Sequence, residues 1–225
     1  ILALVIVAVL GFGAYKIFAP TPVEKAVNKL QFDNTVADSE KEKIRQAIKD
    51  QSKTYDGSVK VGTATTLEAT QSPSVLTAYV PVTNMYATRQ SLGKAELSSM
   101  TVYVPGDTDD MVRSALAGAL GLDASSLSTL TTSVEDVADT AVAFVPADQL
   151  TPNVKLLTFE GAYYLDSFTK GAVFREATYT GDGATSLQSL ALNSYKTKDQ
   201  TLKVNMTGVT ALTRVMMKKL ASVGD

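Results

Sequence analysis

The stretch TYTGDGATS, Thr178 to Ser186, sets Thr180, Gly181 and Gly183 in a turn that passes into helical spacing. Unpaired backbone N–H groups at such a place can hold an oxyanion, and Lys170 and Arg175 lie close by as candidate counter-charges. The turn lacks a Walker lysine and the full dinucleotide fingerprint, so a purely structural turn is the competing reading. FEGAYYLDSF supplies Glu160, Tyr163, Tyr164, Asp166 and Phe168. Tyr163 and Tyr164 could form a ligand platform or pack at a sheet edge. PGDTDD gathers Asp107, Asp109 and Asp110 at a helix start. Capping and the helix macrodipole account for such aspartates, and a calcium loop would need more oxygen ligands at spaced positions. No catalytic residue, metal or cofactor is expected from these residues.

The 225-residue chain contains no histidine and no cysteine. That removes Ser-His and Cys-His pairs, disulfides, zinc fingers and every imidazole ligand. No carboxylate pair can be assigned to acid–base work from spacing alone. The formal charge of -2 comes from interspersed acidic and basic residues with no basic stripe, so nucleic acid is not an expected partner.

The elements that must carry these residues alternate between helical and strand periods. SEKEKIRQAIKDQS, opening on Ser39 with Glu42 three residues later, predicts a capped helix with Ile44, Ala47 and Ile48 on one face. SVKVGTATTLEA and SVLTAYVPVTN predict strands. MTVYVPGDTDDMVRSALAGALGL predicts a strand, a turn and a helix closed by Gly121, its apolar face being Met111, Val112, Ala115, Leu116, Ala119 and Leu120. SVEDVADTAVAFVPADQL predicts a short helix, then a buried strand over Ala141 to Val145. NVKLLTFEG and GAVFREATYTGDG predict further strands, and Leu187, Leu190 and Ala191 mark a closing helix. The fold class expected is α/β, a mixed sheet covered by helices. Residues 20–38 read as a linker and first strand, 39–192 as the α/β domain, 193–200 as a linker and 201–225 as the first strand and helix of a second domain.

Residues 1–19, ILALVIVAVLGFGAYKIFA, are uncharged as far as Tyr15. At 1.5 Å per residue the run to Ala19 spans about 28 Å, close to the ~30 Å hydrocarbon core, with Lys16 able to snorkel. A transmembrane helix ended by Pro20 and Pro22 is the expectation, with a single pass, a main domain outside the cytoplasm and membrane lipid as a partner. A buried core helix, a signal-peptide segment and a pilin-type helix are the alternatives, although Val5 stands where type IV pilins carry an early glutamate.

Two blocks resemble known families. VADTAVAFVPADQLTPNVKLLTFEGAYYLDSF resembles the end of a periplasmic-binding-protein-like lobe, with a strand running into a VPxxxLxP corner. LKVNMTGVTALTRVMMKKLASVGD resembles the opening of the CapA domain associated with poly-γ-glutamate capsule synthesis. The second resemblance implies a metallophosphoesterase-like domain whose first strand ends in Gly-Asp with an arginine five residues on. Gly208 and Arg214 match that motif, but Val209 stands at the aspartate position and cannot ligate a metal. The resemblance therefore implies a cell-surface polymer protein that anchors and binds, leaning away from catalysis within these residues. Its expected partners are a cell-surface polymer or a small anion, and itself by self-association. A surface-filament subunit, and an anchored receptor for a small anion or sugar, are the other readings.

Overall fold

The computed structural model describes residues 20–192 apart from 71, 132, 134–136 and 139. The expected membrane helix of residues 1–19, the linker at 193–200 and the CapA-like segment with Gly208 and Arg214 lie outside the described residues. Among the described residues no helix is long and apolar enough to cross a membrane.

The strands are β1 (Leu30–Phe32), β2 (Val59–Thr66), β3 (Val75–Asn84), β4 (Ser91–Leu92), β5 (Thr101–Pro105), β6 (Leu127–Leu130), β7 (Ala141–Pro146), β8 (Val154–Leu156), β9 (Thr158–Phe159) and β10 (Val173–Thr180). The helices are α1 (Pro22–Lys29), α2 (Asp38–Asp50), α3 (Asp110–Leu120) and the single turns α4 (Tyr164–Ser167) and α5 (Ala184–Leu187). The main sheet has the order β1-β2-β10-β3-β7-β5-β6, with β8 also paired to β3, and β4 and β9 form a separate pair. The expected mixed α/β class is what the chain adopts.

Two parallel units carry the long helices: β1-α2-β2 and β5-α3-β6. Parallel neighbours need such a crossover. Between them β10 and β3 run antiparallel to their neighbours, so the two units point in opposite senses within the sheet. Strand register places Thr77 opposite Arg175, and Tyr79 opposite both Val173 and Pro146. The carboxyl end of β7 is thereby brought to the same band of the sheet as the start of β10.

Side-chain alternation explains why both faces are covered. Val142 and Phe144 of β7 enter a cluster with Val112, Leu116 and Leu120 of α3. Ala141, Ala143 and Val145 enter another with Val80, Tyr164 and Phe174. A strand buried on both faces reads as a continuous apolar run, and AVAFV is one. A third cluster joins Ala26 and Val27 of α1 with Ile44, Ile48, Val59, Val61 and Leu187.

Several expected boundaries move. Residues 20–38 contain α1, whose Thr21 and Glu24 form the reciprocal capping box at 2.7 and 3.2 Å, and its buried face belongs to the core instead of to a linker. Helix α2 starts at Asp38, so the Ser39–Glu42 box is displaced: Glu40 accepts from the Ala37 N–H at 3.0 Å, and Ala37 has no hydroxyl to reciprocate. Helix α3 is capped by Asp109, which accepts from the Met111 N–H at 2.8 Å, and Gly121 closes it with φ 73°. Met111, in the first turn of α3, is exposed and not part of the buried face, which is made by Val112, Leu116, Ala117 and Leu120. NVKLLTFEG divides between β8 and β9 in two different sheets. The helix after the glycine turn is the single turn α5 and stops before Ala191. The short helix expected before Ala141 falls on residues that are only partly described.

Candidate functional site

Ligands in open α/β sheets gather outside the carboxyl ends of strands. A cleft of about 230 Å³ lies at such a place, lined by Ser39 and Glu40 of α2, Asp107 to Asp109 of the β5–α3 loop, and Asp148 and Gln149 just past β7. Thr77 and Tyr79 of β3 form its floor together with Val112 and Pro146. The head-to-head arrangement of the two parallel units is what lets the first turns of α2 and α3 face one space.

The electrostatics of that space are one-sided. Glu40, Asp107, Asp109 and Asp148 line it, and among the described residues no lysine or arginine does. The positive ends of two helices would ordinarily favour an anion there. Each is already engaged by a side chain of its own: Glu40 on the Ala37 N–H, Asp109 on the Met111 N–H. Lys43 stands behind the cleft with its Nζ donating to the Leu76 carbonyl. Burial holds its ammonium below the usual lysine range, and Asp148 and Glu40 oppose that shift.

Beside the cleft, Arg175 and Glu40 form a buried pair. Arg175 is 2% exposed. Its Nε donates to Glu40 Oε1 at 2.9 Å and its Nη2 to Glu40 Oε2 at 2.7 Å. The same guanidinium donates to Thr65 Oγ1 at 2.9 Å, Thr63 Oγ1 at 2.8 Å and the Thr35 carbonyl at 3.1 Å. A register shift lies between Arg175 and Glu176, the kind of bulge that re-aims side chains. Glu176, also buried, accepts from the Thr70 N–H and hydroxyl at 3.0 and 3.1 Å.

The ligand candidates read from the sequence lie elsewhere, and Arg175 alone comes near the cleft, through Glu40. Lys170 pairs with Glu68 at 2.9 Å on the surface. Tyr164 is buried against Phe168 and Phe174, at ring-centroid distances of 5.3 and 6.2 Å, and offers no open platform. Tyr163 only precedes α4. Thr180 Oγ1 contacts the Lys60 carbonyl at 3.4 Å. The glycine turn is packed shut: a Cβ at Gly181 would meet the Ser58 carbonyl oxygen at 2.3 Å, and one at Gly183 the Asp56 carbonyl oxygen at 2.7 Å. Its closeness to residues 56–58 accounts for both glycines. Asp107 and Asp109 do reach the cleft, while Asp110 is the first residue of α3. Among the described residues no acidic cluster could hold a metal ion.

Glu40, Tyr79 and Asp148 were not legible as site residues. Glu40 stands at a helix start, Asp148 just past a strand end and Tyr79 in the middle of β3, and the three converge only once β10 and β3 pair.

No family model and no curated protein matches this chain. Two solved structures overlap parts of the fold. One is an ABC-type phosphate transport receptor from Vibrio cholerae, 12% identical over 57% of this chain and 70% of that chain, with a TM-score of 0.38. The other is a Clostridium perfringens candidate substrate-binding protein of a phosphate ABC transporter, solved with bound phosphate. It is 10% identical over 68% of this chain and 78% of that chain, with a TM-score of 0.34.

Proposed function

We propose that this chain is a non-catalytic receptor whose cleft takes a small hydroxyl-rich ligand, either a free sugar or the end unit of a cell-surface polymer. The observation that supports this reading is the cleft lining, with carboxylates at Glu40, Asp107, Asp109 and Asp148 and, among the described residues, no cationic side chain. Ionised carboxylates only accept hydrogen bonds, so the complementary ligand is one that donates several. Phosphate or another free anion would meet the field of those groups with no cationic side chain on the described lining to offset its charge. At about 230 Å³ the cleft is below the roughly 300–1,000 Å³ of sites that enclose drug-sized molecules, which suits a single ring. A membrane anchor in residues 1–19 and a role in capsule-like polymer assembly complete the proposal. They rest on the apolar start of the chain and on the CapA-like segment carrying Gly208 and Arg214.

Thermal unfolding of the full chain against a panel of monosaccharides, with inorganic phosphate as the contrasting arm, tests the reading. A sugar present at 100 times its Kd should raise Tm by about 5–10 °C, since it binds only the folded state. Asp107→Asn with Asp148→Asn should abolish the rise. Stabilisation by phosphate with no response to any sugar overturns the proposal.

A further inference from the structure

We infer that Glu40 occupies, in cis, an oxyanion-binding place built by Arg175 and the first turn of α2, and that this occupation determines which ligands the cleft admits. The inference rests on the cleft being the ligand site and deepens that reading by assigning its selectivity to one residue. Three donors converge on the single carboxylate: Arg175 Nε at 2.9 Å, Arg175 Nη2 at 2.7 Å and the Ala37 N–H at 3.0 Å. The bidentate fork is the geometry with which arginine recognises carboxylates and phosphates in general.

The place does not depend on Glu40 for its shape. Thr63, Thr65 and the Thr35 carbonyl hold the guanidinium through separate hydrogen bonds. Glu40 itself lines the cleft, so removing its carboxylate opens the space in front of Arg175 to the cleft. With the side chain present, a free oxyanion must compete against a tethered one, whose effective concentration reaches about the millimolar range or above. The tethered carboxylate therefore excludes anions twice over, by filling their seat and by adding its charge to the lining.

Cutting the tether tests this. In the full chain, Glu40→Ala leaves Arg175 buried and uncompensated, and its Tm should fall by about 6–20 °C. Formate, a carboxylate with no tether, should raise the Tm of Glu40→Ala progressively and by at least about 3 °C over chloride at equal ionic strength. It should leave the wild-type chain unmoved. In Glu40→Ala/Arg175→Met the formate effect should vanish. If Glu40→Ala is recovered only unfolded, refolding from urea in formate against chloride gives the answer: native signal in formate alone supports the inference. Equal behaviour of Glu40→Ala in formate and chloride overturns it, as does a formate effect that survives in the double variant. Sugar titration of the wild-type chain reports separately on the cleft, so failure of one reading is distinguishable from failure of the other.

Discussion

Replacing Arg175 by methionine should be among the costliest single changes in the chain. The substitution keeps most of the buried stem but removes two charge-assisted hydrogen bonds to Glu40, at 2.9 and 2.7 Å. Side chains of the pair are 3% and 8% exposed, so the stranded carboxylate is left with water only from the side of the cleft. Thr63 and Thr65 lose a donor as well. Breaking a buried pair from one side typically costs about 3–5 kcal/mol, or about 6–20 °C in Tm for a domain of this size. The double replacement Arg175→Met/Glu40→Leu removes the stranded charge and should lie within about 1–2 kcal/mol of the wild-type chain. Urea unfolding followed by circular dichroism on the four members of the cycle measures the coupling. Additive losses, with the double variant as unstable as the sum of its parts, would refute the reasoning.

Three further outcomes follow from backbone and surface. Gly181→Ala forces a side chain onto φ +105° and toward the Ser58 carbonyl oxygen at 2.3 Å, a loss of at least about 1–3 kcal/mol. Gly118→Ala, with nothing within 4 Å in the last turn of α3, should instead stabilise by about 0.5–1 kcal/mol in the same unfolding assay. On the acid side, hydrogen bonds from Thr21 hold Glu24 below its ordinary carboxylate range. Lys60 and Thr35 do so for Asp33, Lys41 for Asp38, and Gly93 and Arg89 for Glu96. Because the unfolded chain takes up these protons first, stability is intact above about pH 4.5 and declines as pH falls further. A Tm that stays constant between about pH 5 and pH 3 contradicts this assignment.

The elements with strong local signals were readable from sequence, and the site was not. AVAFV, the Ile44–Ile48 face of α2 and the Gly121 stop each follow from spacing and backbone chemistry within a few residues. Helix α1 carried an equally local signal in Thr21, Pro22 and Glu24, but its eight residues are too few for periodicity to stand out against the proline-rich approach. Arg175 drew attention for its charge, yet what it does depends on Glu40, 135 residues away. The glycines of the 181–183 turn were visible as backbone requirements, while the cause, the approach of Ser58 and Asp56, is a tertiary contact. Local rules report where a chain must bend. They do not report which carboxylate will stand opposite which guanidinium.

Strand β10, the last in sequence among the described strands, is inserted between β2 and β3, both of which precede it by about a hundred residues. Such pairings carry a high loop-closure cost and form slowly. Until residues 173–180 are made, the edges of β2 and β3 that flank β10 lack it as a partner, and the band of Thr77, Arg175 and Pro146 beside the cleft is incomplete. Maturation of the cleft is thus tied to completion of the domain. Nascent chains halted before Val173 would expose two sticky strand edges, substrates for chaperones or proteases before they could hold any ligand.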